Sequence, residues 1–207
     1  MVAILDYGAG NLTSVRLAFE ALHAEAVVTA DPHVVRQAQR VVFPGVGAAG
    51  SAMDNLRRLH LDQSIAETIA RGVPFLGICV GMQVLFQNSE EDGGVQTLGL
   101  LPGTVRRFAF PDTRVKVPQM GWNQVDFTRP HPLLDGIPSG TDFYFVHSYY
   151  AQPAQTDHIL GTTDYAGNRF CSMVARQNLV ATQFHAEKSG EAGLRLLNNF
   201  LSWDGLC

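Results

Sequence analysis

Cysteine is scarce in this 207-residue chain. Cys79, Cys171 and Cys207 lie far apart, with no CxxC spacing and no H-E-x-x-H, which argues against a disulfide framework and against a metal centre. Charge is thin as well: 16% of residues, a formal net charge of −4, and two isolated basic pairs, Arg57-Arg58 and Arg106-Arg107. A nucleic-acid-binding stripe would need more. No apolar run approaches the roughly 18 residues that span a membrane. The opening "MVAILDYGAGN" has no cationic leader and reaches Asp6 after a few apolar residues, so it reads poorly as a signal peptide. These absences set the expectations of a cytoplasmic protein with no nucleic-acid partner and no membrane association. What is abundant is apolar: 46% hydrophobic residues, enough for one well-buried core and an expected single domain over residues 1–207.

The first half alternates short β-branched runs with segments of helical period, as in a mostly parallel sheet with helices on both faces. "VAILDY", "AVVTA", "RVVFPG" and "VPFLGI" read as strands. In "NLTSVRLAFEALH", Leu12, Val15, Phe19 and Leu22 gather on one helical face, with Asn11 or Thr13 available as a cap. "SAMDNLRRL" and "QSIAETIA" supply further helical surface. In the second half, "TVRRFAF", "QVDF", "DFYFVHSYY", "HILGTTDY", "RFCSMVA" and "LVATQFH" are strands separated by Gly, Pro and Asp turns, an antiparallel or mixed extension of the sheet. A closing helix, "EAGLRLLNNFLSW", is expected to bury Leu194, Leu197 and Leu201.

One cysteine stands at a corner. Gly77-Ile78-Cys79-Val80-Gly81 ends an apolar run and precedes a helix-like one. This is the G-x-nucleophile-x-G form, in which a strained strand-to-helix turn holds the nucleophile clear of its neighbours. Glycines at 77 and 81 permit the close backbone approach that such a bend requires. Unpaired N–H groups at a helix start favour a thiolate, and the Val80 amide could stabilise an oxyanion. The competing reading is a buried structural cysteine, a common fate for the residue type.

A thiol nucleophile needs a base. Of the seven histidines, His23 falls near a helix end, while His33, His60, His131 and His158 lie in polar or turn segments where exposure is expected. His147, inside a strand, reads as a core histidine. His185 ends the run "LVATQF" and is followed by Glu187; strand alternation would put the two on one face, carboxylate orienting imidazole. A surface His/Glu pair is the bland alternative. The negatives narrow the chemistry: Thr13 replaces the third glycine of a dinucleotide fingerprint after Gly8 and Gly10, and no G-x-x-x-x-G-K occurs. The residues alone therefore point to acyl transfer through a thioester, as a thiol hydrolase or acyl transferase without cofactor or metal.

The markers "DYGAGN" (6–11), "FPGVGA" (43–48), "GICVGMQ" (77–83), "PQMGWN" (118–123), "YFVHSY" (144–149) and "FHAEKSG" (184–190) run in order along the chain. Together they resemble the class I, triad-type glutamine amidotransferases, and within them the glutaminase subunits of imidazole glycerol phosphate synthase. One departure is Ala186, where the commonest form has proline. The resemblance implies a flavodoxin-like α/β fold with Cys79 as nucleophile, His185 as base and then acid, and Glu187 as orienting carboxylate. It implies that Gly47, Gln83, Ser148 and Tyr149 hold glutamine and that Val46 and Val80 form the oxyanion hole. It also implies that Asn11, Trp122 and Lys188 face a partner, a (β/α)8-barrel cyclase that receives ammonia and makes imidazole glycerol phosphate and an aminoimidazole carboxamide ribonucleotide in histidine biosynthesis. With 207 residues taken up by the glutaminase, the acceptor chemistry is expected on that second chain, in a heterodimer. Rival readings are a glutaminase feeding pyridoxal phosphate synthesis, whose "PGGES"-like turn differs from "PGVGA" here, a non-catalytic cysteine-elbow protein, and a triad peptidase.

Overall fold

A computed structural model describes residues 1–8 and 12–206; Asn11, expected as a cap and partner contact, and Cys207 lie outside the described residues. The first half builds β1 (Val2–Leu5), α1 (Leu12–Ala21), β2 (Ala26–Thr29), α2 (Pro32–Gln37), β3 (Arg40–Gly45), α3 (Ala49–Arg58), α4 (Leu61–Ala70), β4 (Phe75–Cys79) and α5 (Val80–Gln83). Every strand of the sequence reading is present. A helix without an apolar period in the sequence, α2, is short and begins with Asp31 accepting from His33 N–H, ahead of Pro32 in the first turn. α1 buries Val15 and Phe19, with Leu12 and Leu22 half-buried against the core.

The second half supplies β5 (Asn88–Ser89), β6 (Val95–Gln96), β7 (Gly103–Arg107), β8 (Gln119–Phe127), β9 (Thr141–His147), β10 (Tyr149–Pro153), β11 (Ile159–Tyr165), β12 (Asn168–Arg176), β13 (Leu179–Thr182) and α6 (Gly190–Ser202). The strands run in the order β2-β1-β3-β4-β13, all parallel, before β12 and the rest continue mainly antiparallel. β4, buried along its whole length, lies between β3 and β13. Two registers matter for the site: Gly45 sits beside Cys79, and Thr182 sits beside Ile78.

Four expectations are corrected. "DFYFVHSYY" is two strands broken at Ser148, because β9 pairs with β8 whereas β10 pairs with β7 and β12. The helix after Cys79 is a single turn: the carbonyls of Val84, Leu85 and Phe86 accept from Leu98, Leu101 and Gly99 instead of continuing it. α6 centres its buried stripe on Gly193, Leu196, Leu197 and Phe200, leaving Leu194 and Leu201 at its half-buried margins. His131 is buried, its Nδ1 accepting from Leu133 N–H and its ring edge-on to Trp203. No helix among the described residues is long and apolar enough to cross a membrane.

Candidate active site

Cys79 ends β4 in a conformation that side chains avoid, with φ 56° and ψ −111°; strain of this kind costs about 1–3 kcal/mol and persists only where its surroundings enforce it. The surroundings here are two glycines. A Cβ on Gly81 would fall 1.8 Å from the carbonyl oxygen of Phe43, and one on Gly77 would fall 2.8 Å from the carbonyl oxygen of Gly81. The elbow is thus pressed against β3 and back upon itself, and only hydrogen fits at both positions. Because α5 is one turn, little helix dipole is available to the thiol, contrary to the expectation from sequence.

The sulfur is largely buried but lines a cavity of about 300 Å³ with Val46, Gly47, Val80, Gln83, Glu91, Pro118, His147, Ser148 and Tyr149. Every residue expected to bind substrate or oxyanion is in that wall. Such a volume is at the small end for ligand cavities and suits one amino acid. A larger groove of about 920 Å³ beside Trp203 is not lined by a cysteine.

His185 and Glu187 meet, but by a different route from strand alternation. β13 stops at Thr182, and residues 186–188 form a 3₁₀ turn fastened by Ser189, whose hydroxyl donates to the His185 carbonyl at 2.6 Å. The turn sets His185 Nδ1 2.7 Å from Glu187 Oε1, both side chains at most 2% exposed. Ala186 in place of proline leaves that turn intact. With Nδ1 committed to the carboxylate, Nε2 is the remaining ring nitrogen; it is buried and has no hydrogen bond among the described residues. Burial alone would lower the imidazolium's affinity for its proton, but the neighbouring Cys79 and Glu187 outweigh it and raise the His185 pKa. The raised proton affinity fits the ring to take a proton.

Four further residues join the site beyond those expected to act there. Gln183, fully buried, brings Nε2 to 3.7 Å from Cys79 Sγ. Tyr7, also buried, has a hydroxyl with no hydrogen bond among the described residues, its pKa pushed up by desolvation and then by Cys79. Glu91 accepts from Ala49 N–H at 2.7 Å, capping α3 where Ala48 cannot, and desolvation raises its pKa. His147 donates from Nδ1 to the Tyr149 carbonyl at 2.8 Å, and burial lowers its pKa to about 4. Trp122 and Lys188 lie outside the cavity, both exposed.

A family model described as glutamine amidotransferase class-I matches residues 3–203. The chain is 54% identical over 97% of its length, and 96% of the relative's, to the imidazole glycerol phosphate synthase subunit HisH of Dehalococcoides mccartyi strain CBDB1. It belongs to the class-I glutamine amidotransferases, with the HisH subunits. The subunit of that name from Nitrosococcus oceani is 51% identical, over 99% of this chain and 98% of its own. In fold, a solved glutamine amidotransferase matches with a TM-score of 0.75 at 18% identity, covering 99% of both chains. Membership makes this chain a glutamine amidotransferase of α/β fold, and the expectation of a mostly parallel central sheet with a mixed extension holds.

Proposed function

We propose that the chain is the glutaminase subunit of an imidazole glycerol phosphate synthase, with Cys79, His185 and Glu187 as its triad. His185 takes the Cys79 proton, and the sulfur attacks the side-chain amide carbon of glutamine. The oxyanion is received by the N–H groups of Val80 and of Val46, in the turn after β3. His185 then protonates the departing nitrogen, the carbon–nitrogen bond breaks, ammonia leaves, and water hydrolyses the glutamyl thioester to glutamate. Gly47, Gln83, Ser148 and Tyr149 hold glutamine, with Glu91 offering a counter-charge to its ammonium.

The observation that carries this reading is the strained Cys79 elbow opening on an amino-acid-sized cavity while coupled to the buried His185–Glu187 pair. A partner cyclase, a (β/α)8 barrel, would take the ammonia in the cytoplasm. Trp122 and Met120 on β8, 58% and 66% exposed, with exposed Lys188, offer it an apolar face with a cation. The test follows glutamate release from glutamine, with and without the cyclase and its nucleotide ligand. Cys79→Ser is expected to abolish release while the fold and partner binding survive; full activity in that variant would refute the assignment. Activity is expected to rise with partner and ligand, because the second oxyanion donor sits on a turn between Gly45 and Gly47 that can reorient.

A further inference from the structure

The sulfur of Cys79 has a neighbour besides His185, and its orientation can be deduced. The Tyr149 carbonyl only accepts; it takes His147 Nδ1–H at 2.8 Å and Gln83 Nε2–H at 2.9 Å, filling both lone pairs. That fixes the Gln83 amide with nitrogen toward Tyr149. The same nitrogen lies 3.0 Å from the Gln183 amide, so the Gln183 atom facing it must be oxygen. Gln183 Nε2 is therefore the atom turned to Cys79 Sγ, 3.7 Å away. The β4–β13 register explains why: Thr182, the last residue of β13, lies beside Ile78, and the residues that follow these two in the chain are Gln183 and Cys79.

We infer that Gln183 is a catalytic residue of the amide transfer, an N–H donor held on the attacking sulfur by a relay that runs from the Tyr149 carbonyl through Gln83. A thiolate accepts such a bond far better than a thiol does, so the relay stabilises the nucleophilic form. It has no exposed alternative, since Gln183 is fully buried. The relay also ties the wall of the substrate cavity, where Gln83 lies, to the nucleophile, while Gly45 on the opposite strand places the oxyanion turn at the sulfur's other side.

The inference rests on the proposed role of Cys79, and the experiment separates the two. Alkylation by iodoacetamide is followed against pH in the full-length protein without glutamine, for wild type, Gln183→Met and Gln183→Glu. Met keeps the volume without polar atoms. Glu keeps an acceptor for Gln83 but has no N–H for sulfur. The midpoint of the alkylation curve is expected to rise by about one pH unit in Gln183→Met and further in Gln183→Glu, the size of one hydrogen bond to an anion. At pH values well below the midpoint the rate should fall about tenfold, with the high-pH plateau unchanged. Circular dichroism and urea unfolding confirm that each variant is folded; an unfolded variant would expose the thiol and raise the plateau. Unmoved midpoints in folded variants overturn the relay alone. Glutaminase activity that survives Cys79→Ser overturns the reading beneath it as well.

Discussion

Gly45 can be tested where packing and chemistry meet. A Cβ built on it would stand 2.3 Å from the Tyr7 hydroxyl, some 0.7 Å inside the closest approach that real Cβ atoms make. Its next neighbours, Val80 Cβ at 3.0 Å and Gly81 N at 3.2 Å, need only a few tenths of an ångström. Tyr7 cannot swing aside: it is 1% exposed and packs edge-on against Phe43 at 5.3 Å. Gly45→Ala should therefore cost about 1–3 kcal/mol, the range for overpacking a tight core. Tyr7→Phe removes a buried hydroxyl that has no hydrogen bond among the described residues and should be neutral or stabilise by about 1 kcal/mol. In the double variant the clash is gone, so the two changes should couple by about 1–2 kcal/mol in the favourable direction. Urea unfolding of the reduced protein measures the four corners of this cycle, with equal m-values as the control for a common mechanism. Strict additivity, a coupling below about 0.5 kcal/mol, would refute the claim that this hydroxyl occupies the space behind the oxyanion turn.

Two further outcomes follow from the charges. Glu187→Gln preserves shape but replaces the carboxylate that holds His185 Nδ1 at 2.7 Å; kcat for partner-activated glutamine hydrolysis should fall about 10–100-fold, the worth of one charge-assisted hydrogen bond, with KM little changed. An effect on KM alone would contradict an orienting role. His147 and His131 are both lowered to about 4 by burial. Unfolding frees them to titrate near 6.5, so below that pH the unfolded state takes up more protons. Their stabilisation is complete above pH 6.5 and is lost as pH falls toward 4. Urea-derived stability should start declining near pH 6.5, above the carboxylate range; a flat profile between pH 7 and 5 would mean that these rings are not held neutral.

The contrast between Cys79 and Gln183 shows what could be read from the chain before its folding. The elbow was legible because its requirement is local: glycines at 77 and 81 answer contacts within the bend and with the adjacent strand, so they leave a short, dense pattern. His185 and Glu187 were legible as a pair for the same reason, although the 3₁₀ turn that joins them was not, since Ser189 fastens it from outside the motif. Parallel strands were announced by apolar runs. The one-turn α5 was hidden, because carbonyls at 84–86 find partners at 98–101 that no helical period reveals.

Gln183 carries no local mark at all. A glutamine in an apolar run acquires meaning only when β13 lies parallel to β4 in a register that brings it to the sulfur, and when a strand break at Ser148 sets the Tyr149 carbonyl to anchor Gln83. Its orientation depends on the Tyr149 carbonyl, which acts through the Gln83 amide on the turn after Cys79. The same logic applies to Tyr7, from β1's end, and to Glu91, which caps a helix begun more than forty residues earlier. A nucleophile motif can thus be written in five consecutive residues, but the donors that tune it are assembled by strand order. The central prediction about this protein therefore concerns topology: altering Gln183 should change the chemistry of a thiol more than a hundred residues away in sequence.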